Sequence, residues 1–181
     1  MLIKWLCSLC FALLFSSASA FAQSGDGKIS ATAATTATIV NLPIITNVTE
    51  LNFGEIFRPD AQVTAIVGAD GSHVSPDGAE WYNPSVSAAL FIIEGLANTT
   101  IYVTLPESAY SVTRQDGTEM MSVAGFTAED RDGISFVSGD LIMLDETGGQ
   151  KVSVGATLFI AANQAVGTYS NTGDLVVTIS Y

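Results

Sequence analysis

Few side chains in this sequence could carry bond-making chemistry. It holds one histidine, His73, and two cysteines, Cys7 and Cys10, both within the first ten residues. Nucleophilic catalysis needs a hydroxyl or thiol beside a base that a third group orients. One histidine and no Gly-x-Ser-x-Gly turn leave such a triad little to work with. Two carboxyls facing one bond could cleave a glycoside, but the acids are dispersed and nothing in their spacing marks a pair. The one dense group, Glu129-Asp130-Arg131-Asp132-Gly133, lacks the ligand spacing of a calcium loop, and Arg131 opposes a cation. It reads as a solvated turn. Trp81 and Tyr82 could hold a ligand, yet they sit with His73 in a polar stretch, residues 69–85, broken by Pro76 and Pro84. Apolar burial favours an aromatic that folds back over the end of the domain. The sequence thus points to no enzyme, no metal and no cofactor, and to a protein that works by contact.

The framework for such contacts begins with an export signal. Lys4 precedes an apolar run over residues 5–15, followed by small-residue cleavage sites at Ala18-Ser19-Ala20 or Ala20-Phe21-Ala22. A single membrane span is the alternative, but the run is short for one. Cleavage after Ala22 leaves residues 23–181, enough for one domain with a sizeable core. Both cysteines leave with the signal, so the exported chain has no disulfide and no thiolate metal site. The formal charge is −12, and one unit more negative without Lys4. Nucleic acid and anionic membrane surfaces, which reward basic patches, are therefore poor partners, and no membrane insertion is expected after cleavage.

Alternation of apolar and polar residues marks strands throughout: Val63, Ala65 and Val67; Ile101, Val103 and Leu105; Val152, Val154, Ala156, Leu158 and Ile160. Turn signals such as Asp70-Gly71, Asp77-Gly78, Asp116-Gly117, Asp132-Gly133 and Gly148-Gly149 separate them, and no long segment keeps a helical apolar period. Many short strands with such turns predict a sandwich of two antiparallel sheets, with a closed barrel as the rival.

Two segments bear on function. In residues 175–181 the side chains of Leu175, Val177, Ile179 and Tyr181 share one face and demand a core. Near the start, Ile29, Ala31, Ala33, Thr35, Ala37 and Ile39 line one face of a strand with small side chains, suited to a shallow groove. A sandwich lacking an edge strand exposes backbone groups and a slot of core, and an extended segment from a neighbour can fill both. Copies joined in this head-to-tail way extend into a filament. Pairing of the same segment within its own domain is the other outcome.

The run Ile44-Ile45-Thr46-Asn47-Val48-Thr49-Glu50-Leu51-Asn52-Phe53-Gly54-Glu55-Ile56 carries a resemblance, together with Val154-Gly155-Ala156-Thr157-Leu158 and Gln164-Ala165-Val166-Gly167-Thr168-Tyr169-Ser170 leading into Val177-Thr178-Ile179-Ser180-Tyr181. It resembles a proteobacterial family of uncharacterised exported domains, which in turn looks like the spore-coat-U-like pilins of archaic chaperone-usher systems. The likeness covers nearly all of the mature chain. Leu51-Asn52-Phe53-Gly54 and Gly167-Thr168-Tyr169-Ser170 are its most specific pieces.

The resemblance implies an incomplete immunoglobulin-like antiparallel β-sandwich completed by a donated strand. A periplasmic chaperone would lend that strand first and an outer-membrane usher would receive the subunit. Donor-strand exchange would then polymerise it with itself or with related subunits. By the same likeness, Gly167, Tyr169, Leu175, Val177, Ile179 and Tyr181 fall on the groove wall and chaperone contact. Two departures stand out: many such pilins carry a disulfide, and many end with tyrosine one residue before the last. The expectation is a signal peptide at 1–22, an N-terminal extension at 23–41 with Ile29, Ala31, Ala33, Ala37 and Ile39 as donor knobs, and a sandwich at 42–181 acting in a cell-surface fibre. The alternative is a monomeric secreted or periplasmic binding domain completed by its own N-terminal strand.

Overall fold

The structure, a computed structural model, describes residues 30–40 and 42–181. The chain divides into two units, Met1–Thr38 and Ile39–Tyr181. Residues 30–38 of the first are exposed and hold no strand, while the second carries fourteen strands and, among the described residues, no helix. In chain order these are β1 (Ile44–Thr49), β2 (Glu55–Ile56), β3 (Val63–Val67), β4 (His73–Val74), β5 (Trp81–Asn83), β6 (Ala89–Glu94) and β7 (Thr100–Thr104). The second half holds β8 (Tyr110–Arg114), β9 (Met120–Glu129), β10 (Ser135–Phe136), β11 (Asp140–Met143), β12 (Gly149–Ile160), β13 (Tyr169–Ser170) and β14 (Thr178–Ser180).

All pairings are antiparallel, as short strands joined by tight turns require. The large sheet runs β1-β6-β12-β9-β8-β13, with β3 beside β12, β4 beside β3 and β10 beside β9. Its centre is β12, whose inward side chains Gln150, Val152, Val154, Ala156, Leu158 and Ile160 are all buried. Gly149–Val154 pair with β6 and Ala156–Ile160 with β3, so two strands lie end to end along one edge of β12 while β9 follows the other. At Thr127/Ala124 the register slips, placing Gly125 and Phe126 of β9 against a single residue of β12. This is a bulge. Its φ of 65° at Gly125 is a left-handed conformation that a side chain resists, and the extra residue bends the long sheet.

Bending lets the sheet cover two cores. A three-stranded sheet, β11-β7-β14, lies over one half. Between them Ile93, Ile101, Val103, Leu144, Val152 and Val154 are completely buried, at about 1.5–3 kcal/mol of transfer free energy for each of the larger side chains. Over the other half, the two-stranded sheet β2-β5 covers Val63, Ala65, Val123, Ala156, Leu158 and Ile160. Leu51 and Phe126 pack against both clusters and join them. The residues that alternation assigned to strands are these core residues, and the fold is an all-β antiparallel sandwich.

The stretch over 69–85 is more regular than a loop, because β4 pairs with β3 and β5 with β2. Trp81 turns inward, donating its indole N–H to the Phe53 carbonyl at 2.9 Å and meeting the His73 ring edge-on. Gln150 is the one buried polar side chain among the described residues. It accepts from its neighbour's N–H at Lys151 (2.8 Å) and from Arg131 N–H (3.3 Å), and it donates to the Met143 carbonyl (3.1 Å), so its inward position leaves no polar atom stranded.

Ile101→Ala should lower the unfolding free energy by about 2–5 kcal/mol. Leu141→Ala, on the outer face of the same sheet and 56% exposed, should change it by less than about 0.5 kcal/mol. Urea unfolding of both variants beside the parent chain measures the contrast.

The open flank of the sandwich as candidate functional site

Inside the sandwich the central strands are paired on both edges, while β1, β11, β13 and β14 each pair on one edge only. β14 pairs with β7 alone, and β1 with β6 alone. Both border the same core: Ile45 from β1, Leu175 and Ile179 beside them on the other sheet, and Leu51 just past β1 all lean on the first cluster while remaining partly exposed. The burial along residues 175–180 follows strand alternation, with Val177 at 7% exposure and Val176 at 56%. An edge of unpaired peptide groups above half-covered aliphatic side chains can accept an extended chain through main-chain hydrogen bonds and side-chain contacts.

One end of this flank has a defined closure. Pro43, which leads into β1, and Tyr181, which follows β14, meet at Gly95 in the turn after β6. A side chain at Gly95 would lie 2.8 Å from Leu144 Cδ1, 3.1 Å from the Tyr181 hydroxyl and 3.5 Å from Pro43 Cβ. Glycine at 95 thus leaves room for the Tyr181 side chain to reach from the three-stranded sheet to the large one.

A neighbouring turn holds Gly95 in place. Gly95 N–H donates to the Gly148 carbonyl (2.8 Å), Asn98 N–H to the Asp145 carbonyl (3.0 Å) and Leu144 N–H to the Thr99 carbonyl (2.8 Å). Within that turn one Asp145 carboxylate oxygen accepts from the Thr147 hydroxyl (2.7 Å), Thr147 N–H (2.8 Å) and Gly149 N–H (2.8 Å), and the other pairs with Arg131. The Thr147 hydroxyl, then Arg131, then Gly149 N–H hold the Asp145 carboxyl far below the usual carboxylate range.

The expected site residues fall into three places. Leu175, Val177, Ile179 and Tyr181 lie along the flank. Gly167 and Tyr169 lie elsewhere, at the edge of the large sheet, where β13 pairs with β8. There Gly167 sits against the aliphatic part of Arg114. The Tyr169 hydroxyl donates to the Ala165 carbonyl (2.7 Å) and accepts from Gln164 Nε2 (2.8 Å). Of the expected donor knobs, Ala31, Ala33, Ala37 and Ile39 are exposed and in no strand, Ile39 at 98%; Ile29 lies outside the described residues. Ile45, Leu51, Pro43 and Gly95 belong to the flank and were not singled out for it from sequence. Ile45 stands in a run with Ile44 and Val48 whose facing the sequence leaves ambiguous, and in the structure Ile44 and Val48 point outward.

Chemistry of other kinds has less to build on. Among the described residues no three His, Cys, Asp or Glu side chains gather as metal ligands. A hollow of about 290 Å³ lined by Leu105, Pro106, Phe126, Phe136 and Val137 has Glu107 as its one titratable side chain.

Fold and flank define a β-sandwich domain with two edge strands, β1 and β14, bordering one core. The family described as Domain of unknown function (DUF4402) matches residues 44–181, and the chain belongs to it. No curated protein matches the sequence.

Because the Asp145 carboxyl titrates below its unfolded value of 3.8, its contribution to stability is complete above that value and is lost as the pH falls beneath it. The melting temperature should therefore drop below about pH 4. Asp145→Asn should lower the neutral plateau and remove part of the acid slope, leaving the part that Glu119 supplies, its carboxyl also held low, by its own N–H and by Arg114. Calorimetry across the acid range reads both effects.

Proposed function

We propose that this protein is a structural subunit of a bacterial surface fibre, joined to its neighbours by an extended N-terminal segment that enters the open flank. The observation that carries the reading is the pair of unpaired edges, β1 and β14, over one shared, half-covered core. Immunoglobulin-like sandwiches set strands in the order A-B-E-D against C-F-G. Here β1-β6-β12-β9 faces β7-β14 as A-B-E-D faces C-F, the chain order β1, β6, β7, β9, β12, β14 runs A to F, and among the described residues no strand takes the G place beside β14. This supports an incomplete immunoglobulin-like fold and agrees with the likeness to chaperone-usher pilins.

A suitable donor lies at the start of the same chain. The stripe from Ile29 to Ile39 places an isoleucine at each end of a row of small side chains. Burial of one isoleucine is worth about 1.5–3 kcal/mol, and each added main-chain hydrogen bond about 0.5–1.5 kcal/mol. Completion by a neighbour is favoured over completion by the molecule's own segment because Leu42 precedes Pro43. A residue before proline is held extended, which opposes the sharp reversal needed to lay that segment back beside β1. Export through the periplasm, with a chaperone shielding the flank and an usher receiving the subunit, completes the reading. The work of such a subunit is non-covalent.

Light scattering after size-exclusion chromatography of residues 23–181 should give a ladder of oligomers, and Ile39→Asp should collapse it to monomer by placing a charge against the apolar flank. Oligomers of the variant equal to those of the parent, or a parent that stays monomeric at every concentration, would overturn the proposal.

A further inference from the structure

We infer that Tyr181 is a register stop: its ring closes the Gly95 end of the open flank, so that a strand donated by a second copy seats in one alignment only. The inference rests on the subunit reading above and adds a positioning residue to it. Strand alternation puts Tyr181 on the face of Val177 and Ile179; although 53% exposed, it extends its hydroxyl to 3.1 Å from the position of a Gly95 side chain, which Pro43 approaches to 3.5 Å. The ring therefore spans from the sheet that holds β14 to the sheet that holds β1, across the mouth between the two free edges.

A stop is needed because the rest of the flank specifies alignment weakly. The donor run has twelve residues, 29–40, or about 40 Å when extended, whereas residues 175–181 offer about 23 Å of edge. Between its terminal isoleucines the stripe reads Ala31, Ala33, Thr35 and Ala37, small side chains that fit one another's places. A slip of two residues keeps the same face inward and loses little contact. A wall at one end removes that freedom, since the isoleucine that arrives there, Ile29 or Ile39 according to strand direction, comes to rest on the ring. Overhang is then possible only at the opposite end.

Disulfide trapping reads the alignment directly, since residues 23–181 contain no cysteine. Ser180, exposed on the outer face of β14, is changed to Cys. In the same molecule one donor position of the outward face, Ser30, Thr32, Ala34, Thr36 or Thr38, is also changed to Cys. Bridging requires Cα atoms within about 7 Å, so positions two residues apart are resolved. In the parent background one position should link copies about tenfold more than its neighbours. With Tyr181→Ala the yield should spread over positions two residues apart, Tyr181→Phe should keep the single position, and Gly95→Ala, which crowds the ring, should spread it as Tyr181→Ala does. A spread already present in the parent, or a single position unchanged by Tyr181→Ala, overturns the stop while leaving the subunit reading intact. Disulfides confined within one chain, or none between copies, overturn both.

Discussion

A strand carries its peptide groups on two edges, and every one of them withdrawn from water has to find a partner. β12 meets this requirement over its central part, with β6 and then β3 on one edge and β9 beside Ser153–Phe159 on the other. Both cores are built on it, because Val152 and Val154 face one cluster and Ala156, Leu158 and Ile160 the other. The bulge at Gly125 follows from the same demand, since a sheet of this length can cover two cores only if it bends, and the extra residue in β9 lets it bend while the pairing resumes on each side.

Where that requirement goes unmet by the protein's own strands, the molecule has its candidate site. The edges of β1 and β14 and the half-covered Ile45, Leu175 and Ile179 border one core. Among the described residues the flank gathers no set of metal-ligating side chains. It offers aliphatic surface and main-chain donors and acceptors, the features on which the proposed uptake of an extended peptide rests. The acidic balance of the chain is dispersed through turns such as Asp130–Gly133 and Asp145–Gly149, where carboxylates cap backbone N–H groups.

Much of this was legible in the sequence because a strand has a period of two. Val63, Ala65 and Val67, Ile101, Val103 and Leu105, and Val152 through Ile160 announced the core by alternation alone. Pairing partners were not legible, since they depend on contacts distant in sequence. Gly167 and Tyr169 lead toward β14 in the chain, yet both meet Arg114 of β8, Tyr169 by strand pairing and Gly167 against its side chain. Gln150 reads as polar and solvent-facing until its partners Arg131, Met143 and Lys151 are known. Gly95 looks like any turn glycine, and only the convergence of Leu144, Pro43 and Tyr181 on it reveals why a side chain is unwelcome there.

Leu51 and Phe126, each touching both clusters, have a thermodynamic consequence. Melting either half alone would strip these two side chains of their packing on that side and break one run of the hydrogen bonds that β12 makes continuously through both halves. Heat or denaturant therefore meets one cooperative body in residues 39–181, which gives way in a single transition with no half-folded sandwich between.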